Sequence, residues 1–117
     1  MNTRKTGSYY EKVAGAFLEK KGYQIWEYNF HCPYAEIDIV ARDGEYLVFC
    51  EVKYRCHAEE AQPLEAVDRK KQKRISRAAL FYITQRGYAD IPCRFDVIGI
   101  TEKEIILVQN AFDYVGE

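Results

Sequence analysis

One helical stretch, three strand-like runs, a second helical stretch and two closing strand-like runs predict a mixed α/β fold. The expected form is a small mixed sheet flanked by helices, in the order αβββαββ. Three observations carry the prediction. Apolar residues recur at helical spacing in two places, each closed by a glycine. An Asp-Gly pair separates two alternating runs, the signature of a tight hairpin. No linker, repeat or low-complexity segment interrupts the 117 residues, so residues 1–117 are read as a single domain.

The first helix is expected from Ser8 to about Lys21. Tyr10, Val13, Ala14, Phe17 and Leu18 form its apolar stripe, and Gly22 ends it. Tyr23 to Phe30 alternates as a strand, with Trp26, Tyr28 and Phe30 expected on one side; His31 to Ala35 is a loop. Glu36 to Arg42 and Glu45 to Tyr54 form the hairpin about Asp43-Gly44. A polar loop, Arg55 to Pro63, leads to a long helix from about Leu64 to Arg86. Its stripe is Val67, Ile75, Ala78, Ala79, Tyr82 and Ile83, and Gly87 stops it. Arg94 to Ile100 and Glu104 to Asn110 close the sheet, the first of them positioned to return parallel to an earlier strand.

Composition sets outer bounds. Apolar residues make up 48% and aromatic residues 15%, enough for one core without staples. The formal net charge of −1 argues against a protein that coats nucleic acid, but leaves room for a local basic patch. No run approaches the roughly 20 apolar residues of a membrane span, and Met1 to Tyr10 is polar, so a cytoplasmic protein is expected. Cys32, Cys50, Cys56 and Cys93 show no CxxC spacing and are expected as free thiols.

The hairpin brings charged residues together. With Asp43 and Gly44 as the loop, Asp38 faces Phe49 and Glu36 faces Glu51. Period-two alternation then puts Glu36, Asp38 and Val40 on one face with Leu47, Phe49, Glu51 and Lys53. Glu51 lies diagonal to Asp38, at roughly 7–8 Å between backbones. Carboxylates beside an apolar surface lose hydration, which a hard cation such as Mg²⁺ would offset. Lys53 projects from the same face, where an ammonium can orient a water and offset charge on a phosphate. A solvated cross-strand pair of Glu51 and Lys53 explains the same residues, and for an arbitrary Asp…Glu-x-Lys that plainer reading prevails. Glu11, at the edge of the first helix's apolar stripe, either leans toward this face or pairs with a nearby lysine.

Asp38 followed by Glu51-Val52-Lys53, on a hairpin after a helix bearing Glu11, resembles the PD-(D/E)xK superfamily and its restriction-endonuclease-like core. The whole chain resembles more closely the YraN-like family of uncharacterised bacterial proteins, which is similar to Holliday-junction resolvases. The resemblance runs through Tyr10-Glu11, Gly22-Tyr23, Asn29, Glu36 to Ala41, Phe49 to Arg55, Glu65-Ala66-Val67, Lys70, Arg94 to Ile98 and Asn110-Ala111-Phe112. It implies a metal-dependent endonuclease acting on DNA, with branched or damaged DNA as its suggested substrate. It implies Mg²⁺ or Mn²⁺ on Asp38, Glu51 and the carbonyl of Val52, with Lys53 and Glu11 completing the catalytic set. Two departures stand out: Ile37 replaces the motif proline, and the chain lacks the strong positive charge of the resolvases. A non-catalytic nucleic-acid-binding module on the same fold is the alternative, and a structural or partner-binding protein a third. Cutting two strands symmetrically would call for a homodimer; no small-molecule cofactor is expected.

Lys70, Lys73, Arg74 and Arg77 crowd the long helix, and Arg55 follows Lys53 by two residues; these are the candidate phosphate contacts. A solvated helix face balanced by Glu59, Glu60, Glu65 and Asp68 is the competing reading. His31-Cys32 and Cys56-His57 offer a zinc alternative with no standard spacing, and it is the less favoured one. Cys50 is expected in the core, Trp26 and the tyrosines in packing. Asp96 lies within a strand whose sheet face the pattern does not determine.

Overall fold

A computed structural model describes residues 3–55 and 67–116, with the backbone alone for 3–8. Seven elements follow in the expected order: α1 (Thr3–Lys20), β1 (Gln24–His31), β2 (Glu36–Asp43), β3 (Tyr46–Tyr54), α2 (Arg69–Arg86), β4 (Cys93–Ile100) and β5 (Ile105–Phe112). The strands form one sheet in sequence order. β3 and β4 run parallel and every other pair is antiparallel. This is the mixed α/β architecture the sequence predicts, consistent with a small nuclease-like fold. Among the described residues no helix is long and apolar enough to cross a membrane.

The sheet is covered on both faces. Ile75, Ala78, Ala79 and Tyr82 of α2 pack with Val40, Leu47, Phe49, Phe95 and Val97. Ala14 and Leu18 of α1 pack with Ile39, Ala41, Val48, Cys50 and Ile98 on the other face. Period-two alternation in the central strands sends successive residues to opposite layers, which is why β3 reads as a nearly continuous apolar run.

Local chemistry sets the helix ends. Gly22 (φ 97°) follows α1, where the Tyr23 amide donates back to the Leu18 carbonyl at 3.0 Å. Gly87 (φ 72°) caps α2, its amide shared between the Ile83 and Thr84 carbonyls. α2 begins later than the expected Leu64. Asp68 is extended, and its carboxylate accepts from the Lys71 amide, so the helix starts at Arg69. Val67 is buried as expected, but ahead of the helix. Residues 64–66, and the loop from 56 to 63, lie outside the described residues.

The hairpin register differs from expectation. Asp43 pairs with Tyr46, so the loop is Gly44-Glu45, with positive φ (60°) at Gly44 alone. That is the pattern of a type II′ turn rather than the type I′ turn that Asp-Gly favours. Val40 therefore faces Phe49, and Ile39 faces Cys50. A slip of one residue on each strand leaves the facing parity intact, so Leu47, Phe49 and Glu51 keep their common face.

β1 also departs from simple alternation. Trp26 and Phe30 pack with the α2 layer, whereas Tyr28 joins the α1 layer. A register shift between Ile25 and Glu27 turns the alternation over, and Asn29, at φ 56°, turns it back.

At the hairpin-turn end, a buried polar network ties four parts of the chain together. Arg94 donates to Asp43 at 2.8 Å and, through Nε, to Asp96 at 2.9 Å. The Tyr23 hydroxyl donates to Asp96 at 2.7 Å and accepts from Gln109 at 2.8 Å. Asp96, with no exposed surface, also accepts the Asn110 amide, where β4 and β5 shift register. Asp96 thus serves the architecture, and every buried polar side-chain atom among the described residues has a partner.

Candidate metal centre

The candidate site forms where the central strands part. β2 and β3 pair from Asp43 and Tyr46 only as far as Ile39 and Cys50. Beyond that point β3 continues beside β4 through Tyr54. One further step of the ladder would set Asp38 opposite Glu51. Instead the Asp38 carboxylate bridges the split and accepts the Val52 amide at 2.8 Å. In an extended strand a residue's N–H and C=O point to the same side, so the Val52 carbonyl also aims into the split.

The alternation of β2 breaks at Asp38. Ile37 packs with the α2 layer and Ile39 with the α1 layer. Strict alternation would put them on one side, so Glu36, Asp38 and Val40 do not share the single face the sequence pattern suggests. Asp38 occupies the change-over and is reached from both layers. From α1, Glu11 hydrogen-bonds to Asp38 and to Asn29. From β2, Glu36 joins them: a carboxylate oxygen from each of Glu11, Glu36 and Asp38 lies within 4.8 Å of the others. The left-handed bend at Asn29, whose side chain meets Glu11, belongs to the same construction.

Crowding raises proton affinity. Burial and then Glu51 push the Asp38 carboxyl up to about 8; Glu11 adds to the rise, and the Val52 amide opposes it. Glu11 is raised too, first by burial, while its bonds to Asn29 and Asp38 pull it down. Two carboxyls this close and this buried share a proton, so the pair holds one across a range where free carboxylates are ionised.

Glu51, only 6% exposed, is held differently. Its Oε1 lies 3.3 Å from Lys53 Nζ and 3.6 Å from Lys71 Nζ. The sequence pattern sets Asp38 diagonal to Glu51 as the pair that would grip a cation. In the structure the tight carboxylate group is Glu11, Glu36 and Asp38, while Glu51 stands alongside, neutralised by two lysines. Two of these participants were not assigned from the sequence. The pattern sets Glu36 opposite Glu51, whereas in the structure it pairs with His31 of β1, where β3 has already parted from β2. Lys71 was visible in another way: it falls in phase with Ile75, Ala78 and Tyr82 on the buried stripe of α2, where an ammonium needs an anionic partner.

The other candidates lie outside this cluster. Lys70, Arg74 and Arg77 are exposed on α2 and Lys73 is half-buried. Arg55 lies past the end of β3, and its guanidinium turns back to the Tyr54 carbonyl at 3.0 Å. His31 pairs with Glu36 at 3.4 Å, and the buried Cys32 thiol donates to the Ala35 carbonyl. Cys56 and His57, the other half of the zinc alternative, lie outside the described residues.

A small mixed α/β domain with carboxylates and a lysine gathered at a strand split is consistent with the nuclease-like class of folds. Within that class the chain is a member of the uncharacterised protein family UPF0102, the YraN-like proteins, whose family model matches residues 10–100. It is 45% identical over 117 residues to a UPF0102 protein of Lachnoclostridium phytofermentans, covering 99% of each chain. It is 50% identical over 108 residues to one of Geobacter sulfurreducens, covering 88% of this chain and 84% of the relative. With one of Moorella thermoacetica it shares 44% identity over 100 residues, covering 86% and 83%.

Proposed function

We propose that this protein is a divalent-metal-dependent endonuclease that hydrolyses DNA phosphodiester bonds. The observation that carries the reading is the split between β2 and β3. There the carboxylates of Glu11, Glu36 and Asp38 converge within 4.8 Å, and the Glu51–Lys53 pair stands at their side. Oxygen donors alone suit Mg²⁺ or Mn²⁺. Asp38 and Glu51, with the Val52 carbonyl, would hold the ion, and Glu36 is a further donor. A bound ion supplies an activated water and a polarised phosphoryl oxygen.

The chain's own residues do the rest. Asp38 would release its proton to solvent and offer its carboxylate as a ligand. Lys53 releases Glu51 and directs its ammonium to the water and to the charge building on phosphorus. Glu11, anchored by Asn29, accepts a hydrogen bond from the water and orients it for in-line attack. Lys71 offers a second cation to a non-bridging oxygen. Lys70, Lys73, Arg74 and Arg77 would track the phosphate backbone.

One observation favours a second reading, a binding module that keeps the fold without turnover: Glu51 is already neutralised by Lys53 and Lys71. Incubation with branched, single-stranded and duplex DNA in Mg²⁺ or Mn²⁺ separates the two. The nuclease reading expects metal-dependent products. Asp38→Ala and Lys53→Met should each lower the rate by about 10²-fold or more. Cleavage that survives both substitutions, or binding without products in either metal, would reject it.

A further inference from the structure

Beside the acidic cluster lies a groove of about 570 Å³, walled by Tyr34, Arg77, Leu80, Phe81, Tyr114 and Val115. It begins close to the site: Tyr34 precedes Glu36 by two residues, so their backbones are at most ~7 Å apart. Its walls are aromatic and open. Tyr34, Leu80 and Tyr114 are 48%, 50% and 52% exposed, and the Tyr34 and Phe81 rings meet edge-on at 6.2 Å. One end is fixed in place, since the Val115 amide donates to the buried Ser76 hydroxyl at 2.9 Å and holds the Tyr114 segment against α2.

The charge around the groove indicates what it takes. Lys70, Arg74, Arg77, Phe81 and Thr84 follow one another at three- and four-residue spacing, forming a single stripe along α2. Three cations therefore lead directly into the aromatic walls. A polyanion that carries flat π-faces matches such a stripe: phosphates on the cations, a base on the rings. Duplex DNA does not match it, because its bases are already stacked and face inward. We propose that this groove receives an unstacked base of a single-stranded or splayed DNA segment next to the cleavage site. The inference rests on the nuclease reading for its substrate and narrows that substrate to DNA with an unpaired nucleotide at the cut.

The test uses the full chain with Ca²⁺ in place of Mg²⁺. Fluorescence anisotropy follows three labelled probes: an oligo(dT) strand, the same strand with abasic spacers, and a blunt duplex. Wild type should bind oligo(dT) about tenfold or more tightly than the abasic strand. Tyr34→Ala combined with Tyr114→Ala, both at exposed positions, should abolish that preference, and Tyr34→Trp should keep it. Loss of affinity for all three probes alike, or equal wild-type affinity for duplex and oligo(dT), overturns the proposal. So does a wild-type dimer in sedimentation that the double substitution dissociates, since the groove would then hold a second copy. The nuclease reading fails separately. Base-dependent binding without cleavage leaves the groove standing, whereas cleavage with base-independent binding removes the groove and keeps the nuclease.

Discussion

At the scale of single residues, Asp38 is the most informative side chain. Its carboxyl titrates near 8, against an ordinary value of about 4, because burial and Glu51 penalise its charge. Between those values the folded chain keeps a proton that the unfolded chain has lost. The metal-free protein should therefore lose stability as pH rises from about 4 to about 8. A cation must displace the same proton. Apparent Mn²⁺ affinity should rise toward tenfold per pH unit below about 8 and level off above it. Calorimetric titration at pH 6, 7 and 9 reads the slope, and a flat profile would count against Asp38 as a ligand. Glu51 illustrates the opposite arrangement. It is buried, but Lys53 and Lys71 both partner it, so Lys71→Met should leave it the Lys53 contact alone and lower Tm modestly, measured by circular dichroism.

At the scale of elements, α2 and α1 each depend on one local feature. The Asp68 carboxylate caps α2 by accepting the amide of Lys71, the residue whose side chain reaches Glu51. Asp68→Ala should cost about 1 kcal/mol and lower Tm by a few degrees, measured by circular dichroism. On α1, Gly15 is buried beneath Tyr28, and a Cβ there would collide with the hydroxyl and ring edge. Alanine gains about 1 kcal/mol in helix propensity but displaces the ring at ~1–3 kcal/mol. Gly15→Ala should thus lie between neutral and about 2 kcal/mol destabilising. In a Tyr28→Ala background the same change should turn stabilising, and denaturant titration of the four variants checks the sign.

At the scale of the whole molecule, the two ends of the sheet have separate duties. The hairpin-turn end is closed by Asp96, Arg94, Tyr23 and Asp43, which join β2, β4, β5 and the entry to β1. The opposite end is left open at the β2–β3 split, where the site lies. Asp96→Ala leaves Arg94 with Asp43 but removes the acceptor of the Tyr23 hydroxyl, the Arg94 Nε and the Asn110 amide, and should cost about 3–5 kcal/mol. Asp96 sits level with Cys50, one residue from Glu51, but its carboxylate is turned to Tyr23, Arg94 and the Asn110 amide. Mn²⁺ affinity of the folded protein should therefore stay close to that of wild type, and a large loss would show that the network and the split are coupled. Family membership agrees with this layout, since the matched residues 10–100 run from the Glu11 helix through β4.

The sequence by itself determined what depends on neighbours along the chain. Helical and strand periods, the stops at Gly22 and Gly87, the hairpin, and the common face of Phe49, Glu51 and Lys53 were all legible, because propensity and turn chemistry act over a few residues. The tertiary structure decided what depends on distant partners. It set the hairpin loop at Gly44-Glu45 rather than Asp43-Gly44, and it broke the alternation at Asn29 and Asp38. It drew Glu36 into the acidic group, placed Lys71 on Glu51 and put Asp96 in the network with Arg94 and Tyr23. A shift of one residue on each hairpin strand preserves every face in the pattern yet changes which carboxylates meet. Periodicity reports the face; only packing from both layers selects the partner.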